Sequence, residues 1–349
     1  MLGLGTLHSK TLLNGNIDTI GFKDLIYTAY NNDIRFFDTG FFYSNGQILK
    51  YLGDILKEFD HKSFMVSAKY IINNQYTFDE IFDSQFKDLN MQYIDLYMLH
   101  DVNDFNFKSY VEYIDKLDVL KQKNLIKYTG FSSHMSSENL KYFLDLYDWD
   151  YVYIYLNWLD YFCNDGELIY NICKNKNIKI VFMGPLKGGK LIDWFSKYFY
   201  DKNQLIQLSI QFLKSLGNDN IILCGAEDSN ELRNYIYALE DKLDEDKLNT
   251  FKNLSVQYKT KKLIPCTDCK YCRNLCNNNV DISNIIKVVN KYLYEDEHNL
   301  KWLYRWLYEG GYIDDINKCI SCKQCESICP QNIKISKIIQ DLRHEFSAN

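Results

Sequence analysis

The sequence predicts an α/β fold, a (β/α)8 TIM barrel followed by a smaller, mainly α-helical domain. Three observations carry this reading. Between residues 2 and 240, eight short apolar runs alternate with amphipathic stretches. Strands that alternate with helices form parallel sheets covered by helices, and eight is the number that closes a barrel. Beyond residue 265 the pattern changes, because eight of the 11 cysteines fall there in two tight runs. The length of 349 residues suits a barrel of ~250 residues plus an appendage. A doubly wound open sheet is the alternative that the same alternation permits.

Taken in order, the runs that read as strands are Leu2–Thr6, Ile34–Asp38, Phe64–Ala68, Ile94–Leu99, Ile126–Phe131, Val152–Leu156, Ile178–Met183 and Ile221–Cys224. Between the second and third lie Ile48, Leu49, Leu52, Ile55, Leu56 and Phe59, spaced as one face of a helix. Thr77-Phe78-Asp79-Glu80 opens another helix with a capping box. The charged stretch Asp241–Lys262 carries no strand signal and reads as a helical connector. The expected domains are therefore 1–240, 241–262 and 263–349.

Composition narrows the function classes. With 46% hydrophobic and 25% charged residues, the chain can fill a large core. Lys+Arg 40 against Asp+Glu 46 gives a net charge of −6, with no basic stripe. That excludes the electrostatic footprint of a nucleic-acid or anionic-membrane binder. Charges interrupt every apolar run well short of the ~18 residues that a membrane span needs. The start, Met1 to Thr6, lacks the basic and apolar regions of a signal peptide, so the expected location is cytoplasmic.

The cysteine runs are Cys266-x2-Cys269-x2-Cys272-x3-Cys276 and Cys319-x2-Cys322-x2-Cys325-x3-Cys329-Pro330. A cubane cluster needs four thiolates at its corners. Three cysteines spaced by two wrap one side of it, and the fourth comes from elsewhere. In two-cluster ferredoxins the fourth cysteine of each run ligates the other cluster. The expected sets for two [4Fe–4S] clusters are Cys266, Cys269, Cys272 and Cys329, and Cys319, Cys322, Cys325 and Cys276. Zinc sites and disulfides are weaker readings, since zinc motifs pair two cysteines with a distant pair. Forty-two helix-patterned residues separate Cys276 from Cys319, so the domain resembles the α-helical dicluster ferredoxin type. Cys163, Cys173 and Cys224 sit in apolar surroundings and read as small core residues.

In the barrel, Asp38-Thr39-Gly40-Phe41-Phe42-Tyr43 follows the second strand, Lys69 ends the third, and His100 ends the fourth. Strand C-termini are where such barrels place their active sites. A carbonyl that accepts hydride develops alkoxide charge and needs a proton. Tyrosine, with an ordinary pKa of ~10, becomes a useful donor when a neighbouring ammonium favours its phenolate. Tyr43 reads as general acid, Lys69 as its tuner, Asp38 as the partner that keeps Lys69 charged, and His100 as the group that orients the substrate oxygen. His8, His61, His298 and His344 have no such context.

Together Asp38, Tyr43, Lys69 and His100 resemble the aldo-keto reductase tetrad. The likeness covers 2–240 and extends to Gly130-Phe131-Ser132-Ser133-His134 and Pro185-Leu186-Lys187-Gly188-Gly189. With the cysteine runs, the whole resembles a subgroup of that family with a dicluster ferredoxin tail. The resemblance implies a small carbonyl or alcohol substrate and a nicotinamide cofactor. Ser132 and Asn157 would lie near the nicotinamide amide, and Gly184, Pro185, Leu186 and Gly188 near the pyrophosphate. Glu227 falls where the family often carries Ser or Lys for the 2′-phosphate, and Tyr153 replaces the usual amide-binding glutamine. Glu227 beside Asp228 should repel a 2′-phosphate, which argues for NAD(H) over NADP(H). Two other functions stay open: a reductase fed by an external ferredoxin through a flavin, and a non-catalytic barrel with an iron–sulfur sensing or docking domain.

Overall fold

The computed structural model describes residues 1–12, 15–240, 242–261, 263–294 and 300–347. Eight parallel strands close a barrel in chain order. They are β1 (Leu2–Gly5), β2 (Phe36–Asp38), β3 (Met65–Tyr70), β4 (Ile94–Asn103), β5 (Ile126–His134), β6 (Tyr151–Tyr155), β7 (Lys179–Met183) and β8 (Ile221–Cys224). Leu4 of β1 lies opposite Phe37 on one side and Cys224 on the other, so the sheet has no free edge. Phe36, Leu96, Met98, Tyr151, Tyr153 and Ile221 fill the interior, joined by Val181 of β7. The first six come from even-numbered strands, the layered filling such barrels use. This closure rules out the open doubly wound sheet.

The barrel helices are α1 (Thr19–Asn31), α2 (Gln47–Leu56), α3 (Phe78–Leu89), α4 (Phe107–Tyr110), α5 (Ile114–Gln122) and α6 (Ser137–Asp145). They continue with α7 (Trp158–Cys163), α8 (Gly166–Asn175), α9 (Lys190–Phe195), α10 (Lys202–Leu216) and α11 (Ser229–Tyr237). α2 buries Ile48, Leu49, Leu52, Ile55 and Leu56, the stripe visible in the sequence. α3 opens on the expected capping box: Thr77 Oγ1 accepts from the Glu80 amide, and the Glu80 carboxylate accepts from the Thr77 amide. Such a box satisfies two amide donors that the first turn otherwise leaves bare.

One strand end differs from the sequence reading, and it matters for the site. β4 does not stop at Leu99 but runs on to Asn103. Its register with β5 shifts between Leu99 and Val102, and Asp101 takes the left-handed φ of 58°. An extra residue in a strand bends it and re-aims its side chains. His100 and Asp101 are the residues in that bulge.

The remaining helices are α12 (Glu245–Lys261), α13 (Tyr271–Asn274), α14 (Ile282–Tyr294), α15 (Leu300–Glu309), α16 (Tyr312–Lys318), α17 (Gln324–Ser327) and α18 (Ile335–Ser347). The chain forms two compact units. One comprises Met1–Lys187 and Phe195–Asn249, and the other Gly188–Trp194 and Thr250–Asn349. α12 spans the boundary, and residues 241 and 262, the limits of the expected connector, lie outside the described residues. The second unit packs Ile285, Ile286, Leu307, Ile316 and Ile339 into its own core. It is built twice over, at an offset of 53 residues (Cys266 to Cys319). Asp268 and Ser321, Lys270 and Lys323, and Asn279 and Asn332 all adopt positive φ at matching places. α14 and α18 begin at matching places too. Among the described residues no helix is long and apolar enough to cross a membrane.

Candidate functional site

Asp38 ends β2, Tyr43 lies in the short turn after it, Lys69 lies on β3 and His100 on β4. The barrel brings these four together. Lys69 Nζ lies 2.7 Å from Asp38 Oδ2, with both side chains almost wholly buried. It also donates to the Thr39 carbonyl at 2.7 Å. The same ammonium is 5.0 Å from the centre of the Tyr43 ring, and that ring meets His100 edge-on at 6.0 Å. Burial pushes the Lys69 pKa down, while Asp38 pulls it back toward the charged form. Burial, then the charges of Lys69 and His134, holds His100 well below its ordinary value, so the imidazole is neutral. A neutral imidazole keeps one N–H to donate.

Tyr153 joins this network, a role that sequence reasoning missed. Its hydroxyl donates to Asp38 Oδ1 at 2.9 Å and lies 2.9 Å from Ser67 Oγ, which itself donates to Asp38. Asp38 thus collects Lys69, Ser67 and Tyr153, and donors of this kind stabilise a carboxylate. Burial, followed by the Asp38 charge, pushes the Tyr153 phenol far up, so it stays a donor. Its signal in the sequence is the alternation of Tyr151, Val152 and Tyr153, which sends Tyr151 and Tyr153 to the same face.

The bulge in β4 builds a second pair. The Asp101 amide donates to Ser132 Oγ at 2.7 Å, and Asp101 Oδ1 stands 3.8 Å from His134 Nε2. Among the described residues, Asp101 Oδ1 and His134 Nδ1 have no hydrogen-bond partner. Burial pushes Asp101 up to about 7 and His134 down to about 4. Near neutral pH this is a carboxyl poised to titrate beside a neutral imidazole. The turn Ser132-Ser133-His134 pointed to this place, but nothing in the spacing paired His134 with Asp101.

The expected nicotinamide contacts are placed less favourably. Asn157 caps α7: its Oδ1 accepts from the Asp160 amide at 3.0 Å, and its Nδ2 donates to Asp160 Oδ2 at 2.7 Å. Asp160 is also held by Lys187, whose buried ammonium reaches both carboxylate oxygens. Ser132 Oγ already accepts from Asp101. Gly184, at φ 63°, fits only without a side chain, because a Cβ would meet the Tyr155 ring at 2.3 Å. Pro185 and Leu186 are buried. Gly188 belongs with the cysteine unit, where a Cβ would come within 2.4 Å of the Thr267 carbonyl. Glu227 is exposed, and at the adjacent α11 N-terminus Asp228 accepts from the amides of Asn230 and Glu231. Asp228 is thus the N-cap of α11, and its carboxylate stands beside Glu227 at that helix start. Ser132 Oγ, which accepts one bond, keeps its own O–H to donate.

Trp158, the first residue of α7, is buried against Phe195 with ring centres 5.0 Å apart. His61 bonds Asp95 at 3.0 Å, His8 and His344 are exposed, and His298 lies outside the described residues. Cys173 and Cys224 are buried and Cys163 half-buried.

The cysteine runs surround a void. A small pocket of about 20 Å³ is lined by Cys266, Cys269, Cys272 and Cys329, together with apolar Ile286 and Ile335. Three come from the first run and the fourth from the second, the crossed set expected from two-cluster ferredoxins. A cubane has volume, so its ligands must ring a space, whereas a single zinc ion needs its sulfurs to converge at ~2.3 Å. Among the described residues no three such side chains converge in that way. The donor set therefore fits a cluster. Cys319, Cys322 and Cys325 make the matching turn, and the Asn278 side chain draws Cys276 toward them by donating to the Lys318 carbonyl at 2.7 Å. Burial, then neighbouring cysteines, pushes Cys272 up to about 12 and Cys269 to about 11. Thiols so raised ionise once a metal supplies the opposing charge.

Comparison with known proteins is consistent with both halves. Residues 1–203 match the sequence model of the aldo/keto reductase family, and residues 265–333 match that of the 4Fe-4S dicluster domain. Among solved structures, the holo form of an aldo-keto reductase from Bacillus halodurans is similar at 18% identity and a TM-score of 0.59, covering 72% of this chain and 91% of its own. A thermostable aldo-keto reductase in complex with the inhibitor epalrestat gives 20% identity, TM-score 0.59 and coverage of 72% and 94%. An aldo/keto reductase from Brucella melitensis gives 17%, 0.56, and 72% and 94%. At these identities the likeness is one of fold. No curated protein matches the chain.

Proposed function

This chain belongs to the aldo/keto reductase family, and we propose that it is an iron–sulfur oxidoreductase that interconverts a small carbonyl and its alcohol, with Tyr43 as the general acid. The observation that carries this reading is the buried Lys69–Asp38 pair set 5.0 Å from the Tyr43 ring, with His100 on the other side of that ring. Reduction of a carbonyl adds a hydride, two electrons with one proton, to the carbon and a second proton to the oxygen, and the hydride would come from a nicotinamide or a reduced flavin. Tyr43 gives one proton to the oxygen, and the Lys69 charge stabilises the phenolate left behind. Neutral His100 donates a hydrogen bond to the same oxygen. Asp38, held by Ser67 and Tyr153, keeps Lys69 protonated where burial alone would neutralise it. When bound, the clusters supply electrons one at a time.

A nicotinamide supplies that hydride directly, and Glu227 and Asp228 beside each other favour NAD(H) over NADP(H). In the second reading an external ferredoxin gives one electron at a time and a flavin gathers two of them. The test is anaerobic. Clusters are reconstituted, NADH, NADPH or dithionite is added, and the iron–sulfur absorbance is followed. Bleaching by NADH would join barrel and clusters in one electron path, and bleaching by dithionite alone would leave the clusters to another partner. Turnover of an aldehyde should vanish in Tyr43→Phe with both clusters retained. Unchanged turnover would remove Tyr43 from the chemistry.

A further inference from the structure

Three lysines are buried among the described residues: Lys69, Lys187 and Lys190. Lys69 has Asp38 at 2.7 Å, and Lys187 has Asp160 at 2.7 Å. Lys190 is 5% exposed, yet no carboxylate of the described residues lies within ion-pair reach of it. A buried ammonium is costly to desolvate and is normally found paired. Among the described residues its partner is missing.

The surroundings of Lys190 say what that partner is. Lys190 lies in the unit that holds the cysteines. Two residues before it, Gly188 presses against the carbonyl of Thr267, the residue after Cys266. Lys190 lies near enough to Cys266 for the two to interact electrostatically. Cys266 in turn lines the void with Cys269, Cys272 and Cys329. A [4Fe–4S] cluster with four thiolate ligands is an anion, and it gains a further negative charge on reduction.

We propose that Lys190 is the counter-ion of the cluster held by Cys266, Cys269, Cys272 and Cys329, and that it makes this cluster easier to reduce than it would be without that charge. This rests on the clusters being bound. A fixed positive charge beside a buried cluster favours its more negative, reduced state, since net charge and burial set cluster potentials. The second set has a cation of a different kind, because the half-buried Arg343 of α18 donates to the carbonyls of Ile316, Asn317 and Cys319. The two halves of the repeat therefore differ in how their cation is placed, a buried lysine from the segment after β7 in one and a half-buried arginine in the other.

The test is an EPR-monitored redox titration of the reconstituted full chain, with iron counted alongside, for the wild type, Lys190→Met and Lys190→Arg. Lys190→Met should move one of the two couples to lower potential and leave the other in place, and Lys190→Arg should restore it. If Lys190→Met assembles only one cluster and Lys190→Arg assembles both, the counter-ion role also stands. Both couples unmoved in a fully loaded Lys190→Met protein would overturn it. So would equal damage in the Met and Arg variants, which would mean that shape and not charge is needed. A wild type that assembles no clusters would bring down the cluster reading itself, and iron content separates that outcome from the others.

Discussion

The barrel mouth and the cysteine unit solve the burial of charge in opposite ways. In the barrel, buried charges are closed within the polypeptide: Lys69 on Asp38, Lys187 on Asp160. In the cysteine unit, four thiols ring a small pocket, and no carboxylate of the described residues pairs with Lys190. The difference teaches where a charge is matched by a neighbouring side chain and where the donor set suits an inorganic core, since small metallo-domains take much of their folding free energy from the metal.

The sharpest way to break this comparison is to remove a single sulfur. Cys329→Ala and Cys272→Ala should each abolish the same cluster and halve the iron, although their residues come from different runs. Iron analysis with EPR checks this, and loss of different clusters would mean that the ligand sets are not crossed. The barrel should stay folded in both variants, as judged by its hydrogen-exchange protection.

Next in size is a break in the barrel's own pairing. Lys69→Met leaves Asp38 buried and uncompensated, and loss of one partner from a buried pair costs about 3–5 kcal/mol. Urea unfolding should show a loss of that order, whereas Lys190→Met with clusters bound should cost less. Equal losses would erase the distinction between a charge completed by protein and one completed by cofactor.

The smallest effect concerns pH. Asp101 is raised to about 7 from 3.8, so the folded state binds its proton more tightly. Its contribution to stability is full below pH 3.8 and is lost as pH rises through about 7. His134 is lowered to about 4 from 6.5. Its contribution is full above pH 6.5 and is lost as pH falls through about 4. The two oppose each other, and the wild type should be nearly flat between pH 4 and 6.5. Asp101→Asn should unmask stability that rises with pH, and His134→Gln stability that falls, with slopes of at most ~1.4 kcal/mol per pH unit. Denaturant midpoints across that range decide it.

Much of this was legible in the sequence, for identifiable reasons. Eight apolar runs with period and spacing are a local signal, and so are two cysteine runs of fixed spacing. The meeting of Asp38, Tyr43, Lys69 and His100 could be anticipated because each lies in or just after the C-terminal half of a strand that its own neighbours define. Tyr153 could not, because its bond to Asp38 joins strands 115 residues apart and depends on barrel register. The Asp101–His134 pair was hidden by the bulge in β4, since periodicity says nothing of one extra residue. The loop after β7 was read as a pyrophosphate loop from its glycines. Gly188 has the φ of 62° such loops use, but it serves close approach to Thr267.

That loop also constrains how the protein can be made. The ribosome releases Gly188–Trp194 well before Thr250–Asn349, the rest of the unit to which it belongs. At typical elongation rates of about 5–20 residues per second the wait is on the order of 10–30 s, while domains ordinarily fold as they emerge. Throughout that interval the nascent barrel carries an unfinished stitch between β7 and α10, holding Lys190 in water until a partner for it has been synthesised and loaded with iron.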